Sequence, residues 1–182
     1  LTDRDGMVIQ TALPAAPLSV GVCVTATVSG RVSLQGRATP IDGGTVTLTP
    51  SGGGTPITAA FDGVTGNYSL SVNYPPAGGA YTLSASHWLY LRNEKVVTFT
   101  PTTTQIIGQN TRLLGGDADN NAKVELLDLT CIGGFFGTPA PWSPNCGGHA
   151  NGSPDINLDA IVNIQDLSIA GGNFDKVAPQ NW

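Results

Sequence analysis

An internal repeat with a 38-residue period constrains this 182-residue chain more than any other feature. Shifted by that interval, DADNNAKVELLDLTCIGGFF (117–136) lies on DINLDAIVNIQDLSIAGGNF (155–174). Identities fall at Asp117/Asp155, Ala122/Ala160, Val124/Val162, Asp128/Asp166, Leu129/Leu167, Gly133/Gly171, Gly134/Gly172 and Phe136/Phe174. Eight matches in twenty columns, with an aspartate at both ends of each acidic stretch, mark a duplicated unit rather than a coincidence of composition.

Each copy opens with the ligand spacing of an EF-hand-like loop. Such a loop takes side-chain oxygens from positions 1, 3 and 5, a backbone carbonyl from 7, a water held by 9 and a carboxylate from 12. In the first copy these positions are Asp117, Asp119, Asn121, Lys123, Glu125 and Asp128; in the second they are Asp155, Asn157, Asp159, Ile161, Asn163 and Asp166. Hard oxygen donors without His or Cys favour calcium over transition metals, so two Ca²⁺ ions are expected. Val124 and Val162, at position 8, are placed to pair across the two loops. Position 6 is Ala122 and Ala160, where the sharp turn ordinarily calls for glycine at positive φ, at a cost of about 1 kcal/mol per loop.

The charge distribution points the same way. Only 12% of residues are charged, yet seven of the thirteen acids lie in these two loops, giving each a formal charge of −3. Crowded like charges destabilise a fold unless a cation neutralises them, and two Ca²⁺ would bring the net charge from −5 to −1. Solvated Asp/Asn turns are the plain alternative for one such loop. Two in register, each followed by Asp-Leu and a helical apolar pattern, weigh against it.

Residues 1–116 differ in character, with five acids against six bases, whereas residues 117–182 hold eight acids against two bases. In NYSLSVNY, Tyr68, Leu70, Val72 and Tyr74 alternate with polar residues, and GTVTLTP repeats that period of two. ATVSGRVSLQ, PITAAF, AYTLSASHW, KVVTFT and TQIIGQNTRLL follow suit, separated by IDGG, SGGGTP, DGVTGN and YPPAGG. About seven short strands so spaced predict an all-β sandwich over residues 25–114, with residues 1–24 as a lead-in or edge strand. The acidic pI near 4.6 argues against a nucleic-acid partner, because neutralising a phosphate backbone needs a basic patch. No apolar run approaches a membrane span. The chain opens without a charged, apolar leader and reads as a mature or excised fragment.

Two family resemblances follow from these motifs. SGRV (29–32), GGTVTLTP (43–50), TGNYSL (65–70) and GGAYTLSAS (78–86) resemble carboxypeptidase-regulatory-like and Cna B-type sandwiches of the immunoglobulin or prealbumin kind. The isopeptide bond of some relatives is not carried over, because Lys95 is the only lysine there and lies on a late strand. GDADNNAKVELLDLTCIGGFFG with SPDINLDAIVNIQDLSIAGGNF resembles the dockerin, a small all-α module of two calcium-loop-plus-helix units, over residues 116 to about 176, and implies such a domain over residues 115–182. That resemblance implies a non-catalytic adaptor that anchors a secreted or cell-surface protein to a cohesin module of a partner. It also implies partner recognition at loop positions 10 and 11, which are Leu126 and Leu127 in one copy and Ile164 and Gln165 in the other. Only Gly115 and Gly116 separate the last predicted strand from the first ligand, so the sandwich is expected to pack on the dockerin, as X modules do.

Further features are weaker. Leu129, Ile132 and Phe136, like Leu167, Ala170 and Phe174, form apolar helix stripes that read as a small core. The paired glycines Gly133/Gly134 and Gly171/Gly172 mark either a close-approach surface or early helix ends. Cys131 and Cys146 flank the linker between the copies, and a bridge there would contribute about 3 kcal/mol in an oxidising compartment. Cys23 reads as a buried free thiol. His87 and His149 lack zinc spacing. Trp88, Tyr90 and Trp142 offer either a sugar platform or ordinary packing. No nucleophile has a paired base, so an enzyme is not expected. A calcium-stabilised structural stalk without a cohesin partner remains the alternative to the adaptor.

Overall fold

The structure is a computed structural model that describes residues 23–38, 43–141, 146–148 and 152–182. Apart from Cys23 and Val24, the expected lead-in over residues 1–24 lies outside them. The strands are β1 (Val24–Leu34), β2 (Thr45–Pro50), β3 (Ile57–Ala60), β4 (Asn67–Tyr74), β5 (Gly79–His87), β6 (Tyr90–Phe99), β7 (Gln105–Ile106), β8 (Thr111–Gly115) and β9 (Gln180–Asn181). Two helices, α1 (Leu126–Gly134) and α2 (Ile164–Gly172), follow the acidic loops.

Alternation forms the sheet as expected. Along β4, Tyr68, Leu70, Val72 and Tyr74 point inward while their neighbours face out, and they meet Val28, Leu48, Leu83, Val97 and Leu113 from the other strands. Hydrogen bonding runs in the order β3-β2-β5-β6-β8-β1-β4, with β7 added to β1 and β9 to β6. The two ends of that path, β3 and β4, pack on each other through the turn in which Asp62 N–H donates to Asn67 O at 2.8 Å. One mostly β, nearly closed, barrel-like sheet results. Its pairs are antiparallel except β1 with β8, β1 with β7 and β6 with β9.

The expected fold class, a sandwich followed by a separate all-α domain, is corrected by how the C-terminal part is built. Its helices are nine residues each, and the buried core passes without a break from the strands into Val124, Ile132, Ile156, Val162, Ile169 and Ala170. The buried Tyr90 hydroxyl donates to Ile156 O at 2.9 Å and to Gln35 O at 3.0 Å. Asn173 Nδ2 donates to Gly115 O at 2.8 Å and to Gln35 Oε1 at 2.6 Å. A Cβ on Gly115 would stand 2.9 Å from both Ile156 Cγ2 and Ile169 Cγ2, so glycine permits the close seam. The chain then adds β9 beside Asn93 and Glu94 and lays Trp182 against Lys95, whose Nζ is 5.0 Å from the ring centroid. Two short amphipathic helices bury too little surface to stand alone, and here the sheet completes their core. Strands and repeat share one core, which replaces the expected packing of a sandwich on a separate domain.

Candidate metal centre and helix faces

The first acidic loop begins where β8 ends, and the tight β5–β6 turn anchors it. Leu89, buried at φ 66, presents its carbonyl to Gly116 N at 3.1 Å and Asp117 N at 3.3 Å. Asp117 then organises the loop by accepting from Asn121 N through Oδ1 at 2.8 Å and from Ala122 N through Oδ2 at 2.9 Å. Asp128 closes it, accepting from Asp119 N at 3.1 Å and Glu125 N at 2.7 Å. The second loop repeats the scheme: Asp155 accepts from Asp159 N (3.2 Å) and Ala160 N (2.8 Å), and Asp166 from Asn157 N (3.1 Å) and Asn163 N (2.9 Å). Ala122 and Ala160 lie at φ 71 and 74, and Asn120 and Leu158 at φ 60 and 56, so the left-handed turn at position 6 occurs without glycine in both copies.

This folding concentrates negative charge. Asp117, Asp119 and Asp128 are 2%, 3% and 0% exposed, and one oxygen from each lies within 4.8 Å of the others. Burial pushes the Asp117 carboxyl up to about 6 against the pull of the Ala122 and Asn121 N–H groups, with Asp128 and Asp119 adding repulsion. Burial likewise raises Asp128 and Asp155. Such a site favours protons or cations over bare carboxylates. In the second loop position 3 is the amide Asn157, and Asp159 is exposed, so three acids do not converge as tightly there.

The remaining predicted ligands fall around the same loops. Asn121 Nδ2 donates to Asp119 Oδ2 at 3.0 Å and to Glu125 Oε1 at 3.2 Å. Glu125 also pairs with Lys123 Nζ at 2.9 Å, which holds its carboxyl below the usual range. Asn163 caps α2, its Oδ1 accepting from Gln165 N at 2.7 Å. Lys123 and Ile161 can contribute only backbone carbonyls. The donor set is all oxygen and three buried carboxylates converge in the first loop, which fits a hard divalent cation there and a less acidic version of the site in the second.

Val124 and Val162 are both buried in the shared core, but their backbone groups pair elsewhere rather than with each other. Val124 exchanges backbone hydrogen bonds with Asp175 (2.8 Å) and Lys176 (2.9 Å), after α2. Val162 exchanges them with Gly137 (2.8 Å) and Thr138 (3.1 Å), after α1. Each loop is therefore laced to the segment that follows the other helix. The bridges Lys123 to Val177 and Pro139 to Ile161 extend the same symmetry.

On the outer side, Leu126, Leu127 and Ile164 are 64%, 60% and 61% exposed. Gln165 is exposed as well, its Oε1 accepting from Asn157 Nδ2 at 3.0 Å. Ile132 and Ala170 are buried and Leu129 and Leu167 half-buried, as a core stripe requires, but Phe136 and Phe174 are half exposed because both helices have ended before them. The paired glycines form those ends, and a Cβ on any of the four would meet open space, so early termination rather than close approach explains them. Cys131 and Cys146 are bridged. Cys23 is a free thiol that is exposed, not buried as expected, because it precedes β1 rather than lying within it.

His87 is buried and stacks between Phe61 and Trp88. Trp88, Tyr90 and Arg92 line a cleft of about 380 Å³ against Asp117, Asn120 and Ala122. Trp142 and His149 lie outside the described residues. Gln35 and Asn173, which with Tyr90 join sheet to helices, were not signalled by any local pattern; for Asn173, the aligned column holds Phe135 and so hides its role.

No protein-family model matches the chain, and no curated protein matches it. Among solved structures, a chain of an N-terminal interface mutant of the type II cohesin–X–dockerin complex from Acetivibrio cellulolyticus is similar, with 23% identity and a TM-score of 0.63 over 84% of this chain and 97% of that one. A chain from the C-terminal interface mutant of the same complex gives 22% identity and a TM-score of 0.59 over the same shares. At this identity the likeness concerns the fold.

Proposed function

We propose that this chain is a non-catalytic, calcium-dependent protein-binding module that anchors an extracellular protein to a cohesin-bearing partner. The observation that carries this reading is the pair of equivalent acidic loops, each opening a helix whose first residues present exposed apolar side chains. Cations at Asp117, Asp119, Asn121 and Asp128, and at Asp155, Asn157, Asp159 and Asp166, relieve the carboxylate repulsion and hold the first turns of α1 and α2 in place. Lys123 and Ile161 offer carbonyls; Glu125 and Asn163 reach the ion through water.

Leu126 with Leu127, and Ile164 with Gln165, then offer two docking faces related by the repeat, either of which can meet the partner. The similarity to chains of cohesin–X–dockerin complexes supports a cohesin as the partner class, and the Cys131–Cys146 bridge supports a secreted or cell-surface location. Among the described residues no helix is long and apolar enough to cross a membrane.

The test is calorimetric titration of chelator-treated protein with Ca²⁺, then capture by immobilised type II cohesins in calcium and in chelator. Two bound ions and calcium-dependent capture are expected. Absence of calcium binding, or equal capture in chelator, would refute the proposal.

A further inference from the structure

Position 3 is buried in both loops, but by unlike neighbours. In the first, the short turn Cys146–Gly148 lies over Asp119: a Cβ on Gly147, at φ 58, would stand 2.6 Å from Asp119 Cβ and 3.1 Å from its Oδ2. Glycine alone allows that approach. In the second loop the cover is the turn after β1, where a Cβ on Gly36 would stand 3.7 Å from Asn157 Cβ and would collide with the Ile169 side chain. One cover therefore belongs to the sheet and its core. The other belongs to the linker between the repeats, and the covalent bond from Cys146 to Cys131 on α1 holds it down. Ser153 N–H, donating to Ala118 O at 2.9 Å, ties the far end of that linker to the same loop.

We infer that the Cys131–Cys146 disulfide clamps the first cation site and not the second, making the two sites kinetically unequal and one of them dependent on redox state. This rests on the calcium reading above. With the bridge formed, the Cys146–Gly148 turn stays over Asp119 and holds this ligand in place, which slows the exit of a bound ion. Because Cys131 is partly exposed, a dithiol can attack its sulfur. The S–S bond breaks, each cysteine sulfur takes a proton, and the reductant departs as a disulfide. The turn then loses its covalent tie to α1, its opening free energy falls, and the first ion exits faster. The second loop, closed by Gly36 and the seam, has no such dependence.

The measurement is stopped-flow calcium release into a fluorescent chelator. Asp155→Ala isolates the first site and Asp117→Ala the second. The oxidised protein should show a slow and a faster phase, the slow one surviving in Asp155→Ala. Dithiothreitol, or Cys131→Ser with Cys146→Ser, should accelerate that phase about tenfold and leave the other unchanged, as expected when a local covering segment is freed. Gly147→Ala should do the same with the disulfide intact, which separates the cover from any general loss of stability. Release rates indifferent to reduction at both sites, or accelerated equally at both, would overturn the clamp while leaving calcium binding standing. No calcium release from the untreated protein would overturn both.

Discussion

Replacing Ile156 with alanine tests whether sheet and helices are one unit. Its side chain is fully buried at position 2 of the second loop, against Gly115, with Tyr90 bonded to its carbonyl. It is not a cation ligand. The substitution removes about three carbons at about 0.8 kcal/mol each and leaves a cavity that the glycine-lined seam is too tight to fill by collapse. A loss of about 3 kcal/mol is expected, or a fall of about 6–12 °C in melting temperature for a domain of this size. In calorimetry with saturating calcium, a single transition should move as a whole. Two transitions, of which only the smaller moves, would mean that the helices are a separate domain and that the shared core is misjudged.

Three further outcomes follow from the loops and faces. Asp117 has its folded pKa raised to about 6 from 3.8 by burial, so its proton stabilises the metal-free fold below pH 4 and that contribution is lost as pH rises through 6; the melting-temperature gap between calcium-loaded and chelated protein should therefore be wide at pH 7.5 and shrink by pH 5. Ala122→Gly with Ala160→Gly should relieve the left-handed strain and gain up to about 1 kcal/mol per loop, seen as a higher melting temperature and tighter calcium binding in titration. Against a cognate cohesin, Leu126→Asp with Leu127→Asp should weaken capture more than Ile164→Asp with Gln165→Asp, because burying each leucine contributes about 1.5–3 kcal/mol whereas the Gln165 amide must be desolvated; both variants should still bind two calcium ions.

What the sequence disclosed and what it hid divide by range. Alternation along Asn67–Tyr74 and Thr45–Pro50 is local, and so is the oxygen spacing of Asp117 to Asp128, so strands and loops could be placed from neighbours in the chain. The union of sheet and helices rests on partners far apart, such as Asn173 with Gln35 and β9 with β6, and single polar residues carry no period that reveals a distant partner. Phe136 and Phe174 fit a helical stripe, but the preceding glycines stop each helix first. The disulfide could be expected from two cysteines flanking one linker, whereas the placement of Gly147 on Asp119 could not.

The lacing of each loop to the segment beyond the opposite helix makes the duplicated region a homodimer joined in one chain. A single copy would leave the backbone groups of Val124 or Val162 without these partners, which a second molecule could supply. Joining the copies replaces that concentration-dependent encounter with an intramolecular one, set by the linker at millimolar effective concentration. Once the copies are tethered, the two halves are free to diverge, since neither must remain self-complementary. Asp119 facing Gly147 while Asn157 faces Gly36, and Leu127 standing where the other copy has Gln165, are the marks of that freedom.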